Sequence, residues 1–137
     1  MTGGSLDVAS GAGEAPTVHL GRDVSNVVLA RRWLMDSLRD AGAPEERVAE
    51  AGVVISELVT NVLTHTTSEA TVALRMDARS AHVTVHDADG GMLPVLRPVD
   101  PTRIGGNGIR ILDAFSTAWG CDVVPLGGKD VWFQVAW

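Results

Sequence analysis

Three polar residues interrupt the most apolar stretch of the chain at intervals of four: Glu57, Asn61 and His65, within Ser56-Glu-Leu-Val-Thr-Asn-Val-Leu-Thr-His65. Residues four apart stack on one side of a helix, so these three form a polar stripe. Val53, Val54, Ile55, Leu58, Val59, Val62 and Leu63 surround it, and the helix is expected to be largely buried. A carboxylate or an amide buried without a partner costs on the order of 1–3 kcal/mol. The stripe therefore calls either for partners within the chain or for a ligand. A Mg²⁺-bound polyphosphate suits it. The Asn61 carboxamide oxygen is a hard ligand for a cation that takes few protein atoms and keeps most of its waters. Glu57 could accept a proton from a hydroxyl or water attacking a phosphoryl group. The plainer reading is a satisfied polar stripe at a helix–sheet junction, and His65 is what a helix C-terminus favours.

Two further clusters bear on the same chemistry. In Ala81-His-Val-Thr-Val-His-Asp87, Val83, Val85 and Asp87 share one face because strand side chains alternate. The face that buries two valines thus ends in a carboxylate, which needs donors; the exocyclic amine of a base would supply one. The alternative is that Asp87 only caps the turn Ala88-Asp89-Gly90-Gly91. Gly105-Gly106-Asn107-Gly108 precedes an apolar helical segment. Glycines let a backbone approach an anion, and the free N–H groups of a helix start favour negative charge. The segment lacks the Lys-Ser/Thr of a P-loop and does not directly follow a strand.

The elements that must position these residues can be read from periodicity and punctuation. Residues 1–16, rich in Gly, Ala and Ser, are expected to form a flexible tail, and 17–137 one domain. Thr17 to Leu20 can form a short strand. Asp23 is a plausible N-cap for a helix through Leu34 and Leu38, stopped by Gly42. Pro44, Glu45 and Glu46 open a second helix that runs to His65 and carries the polar stripe. Alternating segments at 70–76 and 81–87 read as strands around a turn at 78–80. Residues 92–103, with Pro94, Pro98 and Pro101, are not expected to be regular. A third helix follows at 109–115, and segments 119–124 and 131–137 form a closing hairpin around Gly127-Gly128. The order α, α, β, β, α, β, β with short links between paired strands predicts an α+β two-layer sandwich, a mainly antiparallel sheet with helices packed on one face.

Composition narrows the function classes. A net charge of −6 argues against a nucleic-acid footprint or a polybasic membrane surface, but not against a small anion held by backbone amides. The single cysteine, Cys121, rules out an intrachain disulfide and fits a reducing cytoplasm. No apolar run approaches the roughly 18 residues of a membrane span, and the first residues lack the pattern of a signal peptide. The expected location is cytoplasmic.

Singly, none of these signals decides; their order and spacing do. Glu57-x-x-x-Asn61 on a helix, Asp87-x-Asp89-x-Gly91 after a strand and Gly106-x-Gly108 at a helix start resemble the Bergerat-fold ATPase superfamily, which includes gyrase and histidine kinases. The stretch from Ser56 to His65, with Asn107-Gly-Ile-Arg-Ile-Leu-Asp113, Trp119-Gly120 and Gly127-Gly-Lys-Asp-Val-Trp-Phe133, resembles the anti-sigma factor serine kinases and their stand-alone actinobacterial relatives. The resemblance covers roughly Val18 to the C-terminus. It implies a Bergerat ATP-binding fold in which Asn61 coordinates Mg²⁺ on ATP and Glu57 is the catalytic base. Asp87 would bind the adenine amine and Gly91 would let the base lie against its loop. Gly106 and Gly108 would hold the phosphates beneath a lid formed by 92–103, with Arg103 and Lys129 as further nucleotide contacts, although a lysine in a hairpin is usually solvated. It implies ATP or ADP as ligand, an anti-anti-sigma-type protein or a sigma factor as partner, and a homodimer, with no direct contact to nucleic acid or membrane.

The chain departs from the family pattern in three places. Asp89 stands where the adenine loop usually has its first glycine, the lid is short, and Asp130 follows Lys129 where relatives often have threonine. Two functions follow. One is a serine/threonine kinase that phosphorylates an anti-anti-sigma-type partner. The other is a non-catalytic, nucleotide-sensing module that sequesters a sigma factor or another regulator.

Overall fold

The computed structural model describes residues 7–9, 16–89, 108–124 and 127–137. Within them lie strands β1 (Asp7–Ala9) and β2 (Thr17–Leu20), helices α1 (Ser25–Asp40) and α2 (Glu45–His65), strands β3 (Ala70–Asp77) and β4 (Ser80–Asp87), helix α3 (Gly108–Phe115), and strands β5 (Ala118–Val123) and β6 (Lys129–Ala136). The strands form one six-stranded sheet in the order β1-β2-β3-β4-β6-β5, antiparallel at every pairing. The α+β sandwich read from the sequence is the fold observed. One difference lies near the N-terminus: Asp7–Ala9, expected within a flexible tail, pair with Thr17–His19 as an edge strand.

Each helix is built on one apolar stripe. Ala30, Leu34 and Leu38 recur every four residues along α1 and are fully buried. On α2 the stripe is wider: Val48, Ala51, Val54, Ile55, Leu58, Val59 and Val62 are all buried. The two helices approach closely at Gly52, where a Cβ would stand 2.7 Å from Met35 Sδ. Gly42 ends α1 with φ +87°, a conformation glycine adopts without a Cβ penalty. Its N–H donates to the Arg39 carbonyl and that of Ala43 to Leu38. Asp23 works one residue ahead of its expected place. Its Oδ1 accepts from both the N–H and the hydroxyl of Ser25, and Val24 occupies the cap position.

The sheet buries every second residue. On β4 the inward series is Ala81, Val83, Val85, Asp87; on β6 it is Lys129, Val131, Phe133, Val135. These two series face each other residue for residue: Ala81 against Val135, Val83 against Phe133, Val85 against Val131, and Asp87 against Lys129. The apolar column between sheet and helices thus terminates in two opposed charges. Helix α2 packs on β4, β6 and α3, which brings its C-terminal half to that end of the core.

Candidate functional site

Asp87 is 2 % exposed and Lys129 8 %. Lys129 Nζ lies 3.0 Å from Asp87 Oδ2 and 3.2 Å from Oδ1, and it donates to the Asp89 carbonyl at 2.9 Å. Two donors of the ammonium are thus directed at the end of β4, and its charge rests against Asp87 Oδ2. Asp87 Oδ1 also accepts from the Asp89 N–H at 2.9 Å. Oδ1 thus accepts two hydrogen bonds, while Oδ2 has the ammonium as an ion-pair contact and no hydrogen bond from another described residue, which leaves it to accept a donor from outside. Lys129, read as a nucleotide contact although a hairpin lysine is usually solvated, is instead found buried against Asp87. Lys129 is buried because the period of β6 places it on the same face as Val131 and Phe133, and because Asp87 stands opposite as its counter-charge.

The backbone around this pair is tightly held. Gly128 has φ +93°, and a Cβ there would fall on the Asp87 carbonyl oxygen and within 3.0 Å of Ala88 Cα. Only glycine lets the start of β6 come this close to the end of β4. Ser68 supplies a second tie. Its hydroxyl accepts from the Ala88 N–H at 2.8 Å and donates to the Glu69 carbonyl at 2.6 Å. Arg22 in turn donates to the carbonyls of Ser68 (2.7 Å) and Leu63 (2.8 Å), and Thr66 caps α2 through Val62. The end of α2 is thereby fastened to the turn that follows Asp87. Sequence reasoning did not single out Ser68 or Arg22, since neither belongs to a motif and their partners lie 20 to 46 residues away.

On α2 the polar stripe is less buried than expected. Glu57 and Asn61 are half-buried and His65 is exposed; Val53, on the same helix, is 41 % exposed. The helix is apolar around most of its girth, but Val53, Glu57, Asn61 and His65, each four residues on from the last, mark a less buried face. Neither Glu57 nor Asn61 makes a hydrogen bond or ion pair to another described residue. Gly108 is the first residue of α3, which packs against α2. Gly91, Arg103, Gly106 and the proline-bearing segment 92–103 lie outside the described residues.

On the opposite face of the sheet, Asp130 Oδ1 lies 2.7 Å from His86 Nδ1, and His82 stacks on Trp132 with ring centroids 5.1 Å apart. The alternation that turns Asp87 and Lys129 inward turns these four outward. Among the described residues, no group of three His, Cys, Asp or Glu is arranged to hold a metal, and no helix is long and apolar enough to cross a membrane.

The family model described as a histidine kinase-like ATPase domain matches residues 21–133, a span that includes the polar stripe, the Asp87–Lys129 pair and α3. No curated protein matches the chain.

Proposed function

The chain belongs to the histidine kinase-like ATPase family, whose domain is an ATP-binding regulatory one, and from that premise we propose that it is an anti-sigma-type serine/threonine protein kinase. The observation that carries this reading is Glu57 and Asn61 on one face of α2, neither bonded to another described residue. The residues suit Mg²⁺-ATP. Asn61 offers a carboxamide oxygen to a cation brought in on phosphate oxygens, Gly108 opens a helix whose free N–H groups favour an anion, and Asp87 keeps one acceptor position for the adenine amine. Gly91, Gly106 and Arg103 complete the nucleotide contacts in this reading. The γ-phosphoryl group passes from ATP to a Ser or Thr hydroxyl of an anti-anti-sigma-type partner. The hydroxyl proton goes to the Glu57 carboxylate, and ADP leaves. A sigma factor is the second partner, released or sequestered according to the state of the first.

The test is transfer of labelled γ-phosphate to the cognate partner. Glu57→Ala is expected to abolish transfer while calorimetric titration still detects Mg²⁺-ATP; Asn61→Ala is expected to lose the binding itself. Transfer by Glu57→Ala at the wild-type rate removes Glu57 from the role of base. A second reading, a nucleotide sensor without turnover, draws support from Asp89. It places a side chain and a second carboxylate beside Asp87 where the family usually has glycine. This reading expects Mg²⁺-ATP to raise the melting temperature, because a ligand that binds only the native state stabilises it, with no transfer to any partner.

A further inference from the structure

We propose that Lys129 is a positioning residue for purine selection: it fixes the Asp87 carboxylate so that its one open acceptor position receives a 6-amino group. The proposal rests on the reading of Asp87 as the base-contacting residue. It goes beyond that reading in making the selection depend on a side chain that the ligand need not touch.

The geometry leaves Lys129 little else to do. Its ammonium donates to Asp87 Oδ1 and to the Asp89 carbonyl and lies 3.0 Å from Asp87 Oδ2, so it is turned toward the carboxylate and the end of β4. A bidentate hold on both carboxylate oxygens sets the plane of the carboxylate. The Asp89 N–H on Oδ1 then makes Oδ1 the saturated oxygen and Oδ2 the open one. The carboxylate cannot turn to present a different edge without breaking bonds to a nearly buried ammonium. A carboxylate in this state only accepts hydrogen bonds. It welcomes the amine of adenine and repels the carbonyl that guanine or hypoxanthine carries at the same position. The contact of Gly128 with the Asp87 backbone and the Ser68 tie to Ala88 hold the main chain that carries this arrangement.

The experiment is calorimetric titration of the full chain with Mg²⁺-ATP and with the Mg²⁺ complex of purine riboside triphosphate, which lacks only the 6-amine. Wild type is expected to prefer ATP on the order of tenfold, as for a hydrogen bond to a charged acceptor. In Lys129→Gln the preference is expected to fall below about threefold, through weaker ATP binding, with the affinity for the amine-free nucleotide unchanged. Lys129→Arg keeps the charge and is expected to keep the preference. In an Asp87→Asn chain, Lys129→Gln is expected to leave the ratio of the two affinities unaltered, because the two side chains act as a unit. Equal weakening of both nucleotides by Lys129→Gln, or full preference in that variant, overturns the proposal while leaving the function of Asp87 intact. Where the Gln variant does not fold, the Arg variant decides, and loss of preference there overturns it. A wild-type chain that binds both nucleotides equally removes Asp87 as base reader and the proposal with it; one that binds neither removes the nucleotide-binding reading as well.

Discussion

Gly128 and its neighbour Gly127 offer a paired test of how the two halves of the site are joined. Both have positive φ, +108° for Gly127 and +93° for Gly128, so alanine at either is strained by roughly 1–2 kcal/mol. Their surroundings differ. A Cβ on Gly127 meets nothing within 4 Å, whereas one on Gly128 falls on the Asp87 carbonyl oxygen and 3.0 Å from Ala88 Cα. Both of those obstacles are backbone and cannot rotate away. Relief requires the start of β6 to withdraw from the end of β4, which loosens the last ladder pair and draws Lys129 away from Asp87. Leaving a buried charge without its partner costs about 3–5 kcal/mol at full separation, and a partial withdrawal forfeits a fraction of that. Gly127→Ala is therefore expected to cost about 1–2 kcal/mol and Gly128→Ala at least about 2 kcal/mol more. For a domain of this size 1 kcal/mol lowers the melting temperature by about 4 °C. A drop of about 4–8 °C is expected for Gly127→Ala and of more than about 12 °C for Gly128→Ala. Thermal melting followed by circular dichroism, with urea midpoints as a second measure, reads the difference. Equal shifts in the two variants would show that backbone conformation alone matters and that the close approach of β6 to Asp87 does not.

Two further predictions concern titrating groups. Burial, reinforced by Asp122 and partly opposed by Lys129, pushes the Cys121 thiol up from its ordinary value. Alkylation of the native chain by iodoacetamide is expected to reach its half-maximal rate at a higher pH than alkylation of the urea-unfolded chain, and coincident profiles would refute this. Burial, and then the nearby Arg75, lower the His82 pKa from 6.5, against a smaller opposing effect of Asp77. The unfolded imidazole therefore binds its proton first as pH falls below about 6.5, so stability is full above that value and declines through the window beneath it. His82→Gln is expected to flatten that part of the urea-midpoint profile between pH 7 and 5, and an unchanged slope would show that His82 is not responsible.

Much of the fold could be read from period and punctuation. Pro44-Glu45-Glu46 marked the start of α2, Gly42 the stop of α1, Gly127-Gly128 the closing turn, and the alternation of 81–87 the inward series that ends at Asp87. What escaped reading has physical causes. The partial exposure of the Glu57 face was hidden because the length of an apolar run does not say which face of a helix the rest of the core covers. The strand at Asp7–Ala9 escaped because an edge strand supplies few apolar side chains to any core. The burial of Lys129 was within reach. Lys129, Val131, Phe133 and Val135 share parity, so burial of the last three implied that of the first. What the sequence could not supply was the partner, since β4 and β6 are joined across a helix and another strand, and their register is a property of the whole sheet.

The two ends of the site follow opposite electrostatic designs, and that contrast bears on how a nucleotide would be used. At the base end of the proposed site, Asp87 Oδ1 already accepts two hydrogen bonds and Oδ2 faces the Lys129 ammonium, and the backbone is fastened by Gly128, Ser68 and Lys129. The ordering has been done during folding, so a base docking there loses little freedom in its receptor, and preorganisation of this kind favours selectivity and affinity together. At the phosphate end, Glu57 and Asn61 are half-exposed and bonded to no other described residue. In the proposed reading they would be hydrated without ligand and would give up that water to a cation or a hydroxyl proton. On the same reading, a fixed contact to the base and an open face on α2 would hold ATP and ADP alike at one end and distinguish them only at the other. A regulatory domain needs that division: the common end provides retention, and the variable end provides the signal. The Lys129 and Glu57 variants address the two ends separately, the first altering which base is held and the second altering what becomes of the phosphate.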